Sequence, residues 1–270
     1  MTNVKKQTIL LAAVGGLLAF SPVLASAGEA KASVNLPAAQ SRLNLERLTL
    51  AQEDPQKFLK NSLDNYNSTI RDYTCTFLKQ ELLKGKLSKE QAIFVKFREN
   101  PFSVFMKWIE NPSMVDKVLY VKDFNNNKAM IKPAGILGWF VRTHVNRPVD
   151  TPDAAKMSRR RLDQFGFGKA LGLIIEVNET ALKANDLKLR YTGTSHVDGR
   201  TTYIIERFLP EKSCYPDQHM IVHIDQQWLV PLAIFCYDAR NNLLGKYIYK
   251  DVKLNVGMPM KEFTAQANGL

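Results

Sequence analysis

The strongest constraint on this chain is an alternation of period two, cut at hairpin spacing by turn formers, that begins after Arg71. Tyr73, Cys75 and Phe77 alternate with Thr74, Thr76 and Leu78, and Lys84-Gly85-Lys86 marks a turn. Ile93, Val95 and Phe97 then alternate with Phe94, Lys96 and Arg98. Asn100-Pro101 ends that run, and Phe102, Val104, Met106 and Trp108 take up the next. Asn111-Pro112 breaks again, and residues 118–124 and 128–132 follow, separated by Asn125-Asn126-Asn127. Successive strand side chains point to opposite faces, so such runs bury their apolar half as consecutive antiparallel strands. The pattern predicts a meander.

Around it the periodicity changes. Asp54-Pro55 supplies a helix cap with proline in the first turn, and Leu59, Leu63, Tyr66 and Ile70 form one helical stripe. Residues 133–149 hold an apolar cluster, Ile136, Leu137, Trp139, Phe140 and Val141, bounded by Gly135 and Pro148, and read as a loop. Residues 167–184 read as a helix with Leu171, Ile174, Ile175 and Leu182 apolar. Strands resume at Leu187, turn tightly at Asp198-Gly199, and continue through 201–209, a 217–226/230–238 hairpin and 244–254. The fold class expected is α+β: a strongly curved antiparallel sheet, a half-open β-barrel of about ten strands. An N-terminal helix and one or two inserted helices lie over its concave face. One domain is expected over residues 54–263, with a tail at 264–270. Residues 28–53 read as a flexible tether, in which Leu43, Leu45, Leu48 and Leu50 allow a short helix.

Composition narrows the class. With 45% hydrophobic and 23% charged residues the chain is neither collagen-like, nor a disulfide knot, nor a polytopic membrane protein. Lys5 and Lys6, the apolar run 9–20, and Ala25-Ser26-Ala27 before Gly28 form an export signal over residues 1–27. No cysteine follows that site, so the mature protein is expected in the periplasm or secreted, without a lipid anchor. The three cysteines, Cys75, Cys214 and Cys236, read as separate buried thiols, with a bridge from Cys75 to either of the others left open. In the predicted hairpin Cys236 faces about residue 221, leaving Cys214 about 20 Å away along the strand.

No catalytic constellation emerges. His219 and His223 are four apart, but Met220, Ile221 and Val222 between them argue strand, where that spacing is about 13 Å and cannot share one metal ion. Ser195, His196 and Asp198 are too close in sequence to form a relay, since neighbouring strand side chains diverge, and Asp198 is better used in the turn. Cys75 lies mid-strand among apolar neighbours, a buried thiol rather than a nucleophile. Gly166, Gly168 and Gly172 match no phosphate-binding spacing and suit close packing at a helix start. No metal or cofactor is expected. The formal charge is +11, with a basic stretch at Lys156 and Arg159, Arg160 and Arg161 near Arg142 and Arg147. No nucleic-acid motif accompanies it; an anionic membrane surface, an envelope protein or plain solvent on a helix face are its expected partners.

What the strands supply is bulk. Phe94, Phe102, Phe105, Met106 and Trp108 crowd two neighbouring strands, and a curved sheet with aromatics on its concave face either packs on a helix or encloses an apolar ligand.

Several blocks are familiar. Arg71-Asp72-Tyr73-Thr74-Cys75-Thr76-Phe77, Gly85-Lys86-Leu87, Pro101-Phe102-Ser103-Val104, Lys107-Trp108, Gly135-Ile136-Leu137-Gly138 and Leu254-Asn255-Val256-Gly257 resemble a bacterial envelope family, domain of unknown function 1571, over residues 55–263. More distantly, Arg98, Pro101-Phe102, Trp108 and Asn111-Pro112 are similar to a segment of the periplasmic lipoprotein carriers LolA and LolB. That resemblance implies a half-open barrel whose helices plug a hydrophobic cavity for acyl chains. Together these readings give an exported, non-enzymatic binding protein for a lipid, a lipoprotein acyl chain or another apolar envelope ligand. Phe102, Val104, Met106 and Trp108 form part of the expected wall, Trp139 and Phe140 a movable cover, and Arg98 a polar group at the mouth. The alternative is a structural or protein-interaction module of the envelope with a solid core.

Overall fold

A computed structural model describes residues 36–141, 143–151 and 158–270. The stretch read as an export signal, residues 1–27, lies outside the described residues, as do Arg142 and Lys156. The chain opens with helices α1 (Leu36–Glu53) and α2 (Pro55–Thr69). The meander follows: β1 (Asp72–Leu83), β2 (Lys86–Leu87), β3 (Gln91–Arg98), β4 (Ser103–Glu110), β5 (Val115–Val121) and β6 (Lys128–Pro133). A short helix α3 (Gly135–Phe140) and β7 (Val145–Pro148) precede the long helix α4 (Phe167–Lys183). The second half comprises β8 (Lys188–Val197), β9 (Arg200–Phe208), β10 (His219–Asp225), β11 (Pro231–Tyr237), β12 (Leu243–Leu254) and a closing turn of helix, α5 (Ala265–Asn268).

All strands join one antiparallel sheet in the order β7-β6-β5-β4-β3-β1-β12-β11-β10-β9-β8, with β2 paired to β1. The two meanders meet where β1 pairs with β12, and β7 and β8 remain as free edges, so the sheet is not closed into a barrel. The curved, half-open α+β architecture expected from the alternation is the one observed, with twelve strands among the described residues rather than about ten. The two extra strands are short. β2 has two residues, and β7 has four inside what reads as a loop, both below the length at which alternation is visible.

Register decides which side chains share a face. Tyr73, Cys75 and Phe77 on β1 lie opposite Phe97, Val95 and Ile93 on β3, and these lie opposite Val104, Met106 and Trp108 on β4. Tyr66 of α2 and Phe167 of α4 cover this part of the face, while Phe58 and Leu59 of α2 and Leu171, Ile174 and Ile175 of α4 pack on Tyr203, Ile205, Met220 and Val222 of the second half, all buried. Asp54 caps α2 by accepting from Lys57 N at 2.9 Å, as the sequence anticipates. At one end of the concave face Phe97, Tyr73 and Phe167 stack at 4.7 and 4.4 Å between centroids, leaving no space. Two glycines permit that closure: Gly166 takes φ +111 with the Phe97 ring beside it, and Gly168 lies under the Tyr66 ring.

Phe94 and Phe105 correct the expectation that the crowded aromatics share the concave face. They occupy the alternate positions and turn to the other side of the sheet with Leu119, Val121 and Met130. There Met258 and Phe263 cover them, and Ala265 and Leu270 pack against the same cluster, so the C-terminal residues run along the sheet as a strap. Lys96 Nζ bonds Glu262 at 2.8 Å, Lys117 Nζ donates to the Asn268 carbonyl at 3.1 Å, and Asp72 accepts from the Gly257 and Met258 amides at 3.1 Å.

The tether reading is corrected over residues 36–53. They form α1, whose Ala51 is fully buried and whose Arg47 donates to the Gln226 carbonyl at 2.7 Å. Tyr203 Oη also donates to the Asn44 carbonyl at 3.0 Å. The leucine spacing in this stretch spreads apolar groups around the helix, which hides the face it buries.

Candidate ligand-binding site

Between the concave face and α4 lies a cavity of about 240 Å³. Its walls come from nearly the whole sheet, from Pro148 on β7 to Arg207 on β9, and from Ala170, Leu173, Ile174 and Val177 on α4. The segment from Ser158 to Gly166 closes one side. Ser113, Pro148, Arg160 and Arg161 are lining residues exposed to solvent, and they mark where the cavity reaches the surface.

Register sorts the lining into rows across the strands. Phe77, Ile93, Trp108 and Tyr249 make one apolar row. The next row carries Lys79, Gln91 and Tyr247, and the one beyond it Glu81, Cys236, Met220 and Arg207. The cavity is therefore apolar at its floor and polar along one side.

The polar side is tightly wired. Glu81 is 1% exposed and accepts from Ser158 Oγ at 3.1 Å, the Arg159 amide at 3.2 Å and Tyr247 Oη at 2.8 Å, with Lys79 Nζ at 3.4 Å. Burial, reinforced by Glu81, holds the Tyr247 phenol well above its usual range. Arg207, 2% exposed, donates through Nη1 to Asn178 at 3.0 Å and through Nη2 to Asp217 at 2.9 Å. Its Nε is buried without a partner. Burial pushes the Cys236 thiol up to about 12, so at neutral pH it is a packed, protonated side chain.

The residues singled out from the sequence are dispersed. Met106 and Trp108 line the cavity, and Trp108 Nε1 donates to Gln91 Oε1 at 3.2 Å. Phe102 and Val104 lie on the same face of the same part of the sheet but in the solid cluster with Phe97 and Tyr120. Arg98 is not at the mouth: it points to the other face, donating to the Asn100 carbonyl at 2.9 Å and the Met258 carbonyl at 2.7 Å. Phe140 is 81% exposed on α3, and the Trp139 side chain lies outside the described residues.

Arg159, Arg160 and Arg161 correct the reading of a solvated helix face. They sit in irregular chain over the cavity, where Arg159 Nη2 donates to the Pro216 carbonyl at 2.8 Å and Arg161 pairs with Asp163. Glu81, Arg207, Asp217 and Tyr247 were not anticipated. Glu81 and Arg207 nonetheless carry a sequence signal: each is an ionisable residue in the inward register of an alternating strand, after Tyr73-Cys75-Phe77 and after Tyr203-Ile205.

The histidine and serine motifs stay apart from the cavity. His219 stacks on Phe208 at 4.4 Å, and burial lowers the pKa of His223 beside Thr202. Asp198 accepts from the Asp251 amide at 2.7 Å in its turn. Among the described residues no group of three or more His, Cys, Asp or Glu is placed to hold a metal ion, and no helix is long and apolar enough to cross a membrane.

Solved structures with a similar course of chain include the Pseudomonas aeruginosa MucA/MucB complex, at 15% identity and TM-score 0.46, covering 79% of this chain and 62% of that one. The Mycobacterium tuberculosis lipoprotein LppX matches at 15% identity and TM-score 0.38 over 77% of this chain and 99% of its own. A LolA superfamily protein from Nitrosomonas europaea matches at 9% identity and TM-score 0.31 over 76% and 96%. The chain thus spans less than two thirds of the MucB chains it matches. No curated protein matches it in sequence. The family model described as protein of unknown function (DUF1571) matches residues 70–268, which takes in the whole sheet and the strap, and the chain belongs to that family.

Proposed function

We propose that the chain is an exported, non-enzymatic binding protein that holds a lipid, a lipoprotein acyl chain or another apolar envelope ligand between its sheet and α4. The observation that carries this reading is the cavity of about 240 Å³ with an apolar floor in an otherwise close-packed core. Each methylene moved from water into such a space contributes about 0.8 kcal/mol, so useful affinity needs no reactive group. The polar groups beside it are engaged with one another and form no nucleophile–base pair, which supports binding over turnover. Met106 and Trp108 touch the ligand in this reading, while Phe102 and Val104 stiffen the wall behind them and Phe140 belongs to the cover.

The test is uptake. Delipidated protein is incubated with phospholipid vesicles, separated from them, and weighed by native mass spectrometry. A discrete added mass of lipid is the expected result. Protein recovered only at its bare mass, after incubation and directly from its producing cells, contradicts the proposal.

A further inference from the structure

We infer that the cavity is built for a single-chain amphiphile with an anionic head, a fatty-acid carboxylate, its head lying at Arg207, Arg160 and Lys79 and its tail running toward Phe77, Met106 and Val118. This rests on the binding-protein reading and specifies its ligand. The lining carries six formally charged side chains, of which Lys79, Arg160, Arg161 and Arg207 are cationic and Glu81 and Asp217 anionic. Both anions are already spent. Glu81 accepts from Ser158, the Arg159 amide and Tyr247, and Asp217 accepts from Arg207. Of the four cations, Lys79 lies 3.4 Å from Glu81, Arg161 pairs with Asp163 and Arg207 with Asp217, so among the described residues Arg160 is the lining cation in no ion pair. Arg207 leaves Nε–H buried and unpartnered, a donor that a buried guanidinium ordinarily satisfies. Arg160 is exposed at the mouth, and Arg207, Arg160 and Arg159 all lie near enough to act on the Cys236 thiol against the opposing charge of Asp217, which gathers three guanidinium groups and one carboxylate at this side of the cavity.

The rows fix the orientation. An ionised head is retained only where donors and positive charge offset its desolvation, which is the Glu81–Arg207 side. The Phe77–Trp108 side offers only hydrocarbon and ring. Size fixes the number of chains: 240 Å³ is below the roughly 300–1,000 Å³ of sites for drug-sized ligands and suits one hydrocarbon tail rather than two.

Three ligands with one tail and different heads test this: decanoate, 1-decanol and decylammonium, each competing with a neutral naphthylamine fluorophore on delipidated protein at neutral pH. Decanoate is expected to displace the probe about tenfold better than decanol, and decylammonium less well than decanol. Arg160→Gln, an exposed substitution, and Arg207→Lys, which keeps the charge facing Asp217 but removes Nε, are each measured against the same series. At least one is expected to reduce the decanoate advantage to about threefold or less while decanol affinity holds, and that retained affinity reports an intact cavity. Equal displacement by decanoate and decanol, preference for decylammonium, or an advantage untouched in both variants overturns the anionic-head assignment and leaves the apolar-ligand reading standing. Failure of the fluorophore and all three ligands to bind overturns both.

Discussion

Gly168 sits in the first turn of α4, directly under the ring of Tyr66, and a Cβ there would lie 2.7 Å from Cδ1 and nearer still to Cε1. Tyr66 cannot withdraw: it is 1% exposed and its hydroxyl donates to Glu99 at 2.6 Å. Alanine in place of glycine favours a helix by up to about 1 kcal/mol, but overpacking a buried contact costs about 1–3 kcal/mol. Gly168→Ala is therefore expected to destabilise the protein, with a lower midpoint in denaturant melts, and an unchanged or raised midpoint would refute the close helix contact. Gly166 and Gly168 were legible as packing residues, because the glycine spacing fits no phosphate loop, whereas Gly172 has open space about it and packs against nothing. Other residues were legible only to the level of their strand. Phe94 and Phe105 sit one position out of register with Val95, Met106 and Trp108, and a period-two sheet sends them to the opposite face. Arg98 shares that parity and so serves the strap, not the cavity. The same parity rule picks out Glu81 and Arg207 as inward charges, a signal overlooked when aromatic bulk alone is followed.

Elements with strong periodicity were readable, and those stabilised by tertiary contacts were not. α2 announces itself by stripe and cap and α4 by stripe alone, whereas α1 and the C-terminal strap have weak patterns and are held by bonds to distant residues such as Gln226, Lys96 and Asp72. The strap carries a pH dependence. Lys96 donates a hydrogen bond to Glu262 and attracts it, holding that carboxyl below its ordinary range, with Lys261 adding to the effect. A carboxylate whose folded pKa is depressed stabilises the fold fully above the unfolded value, and that contribution is lost as pH falls through the folded value. Between about pH 6 and about pH 3, amide exchange in residues 258–268 is expected to lose protection ahead of the β1–β12 centre, and Lys96→Met to flatten the dependence. Glu179, Asp186 and Asp238 are held low elsewhere and add a global decline. The order of local loss is thus the informative quantity. Strap amides that stay protected until the whole sheet opens would contradict the clasp.

At the scale of the molecule, two meanders share one sheet through β1 and β12 and curl over two helices without closing. The space left where α4 and the 158–166 segment stand off the sheet is the feature on which the functional account depends. Its existence was not legible, because alternation specifies which residues face inward but not whether their summed volume fills the interior. Ala129, 2% exposed and on the cavity wall, allows that space to be filled from one position. The most direct measurement is the affinity of delipidated wild-type and Ala129→Phe protein for decanoate, taken with their thermal midpoints. Binding in the wild type that falls at least tenfold in the variant, with the midpoint unchanged or raised, is the predicted result. Equal affinity in a folded variant would place the ligand elsewhere, and no binding of decanoate, decanol or the fluorophore by the wild type would leave the cavity without a ligand; either result contradicts the account.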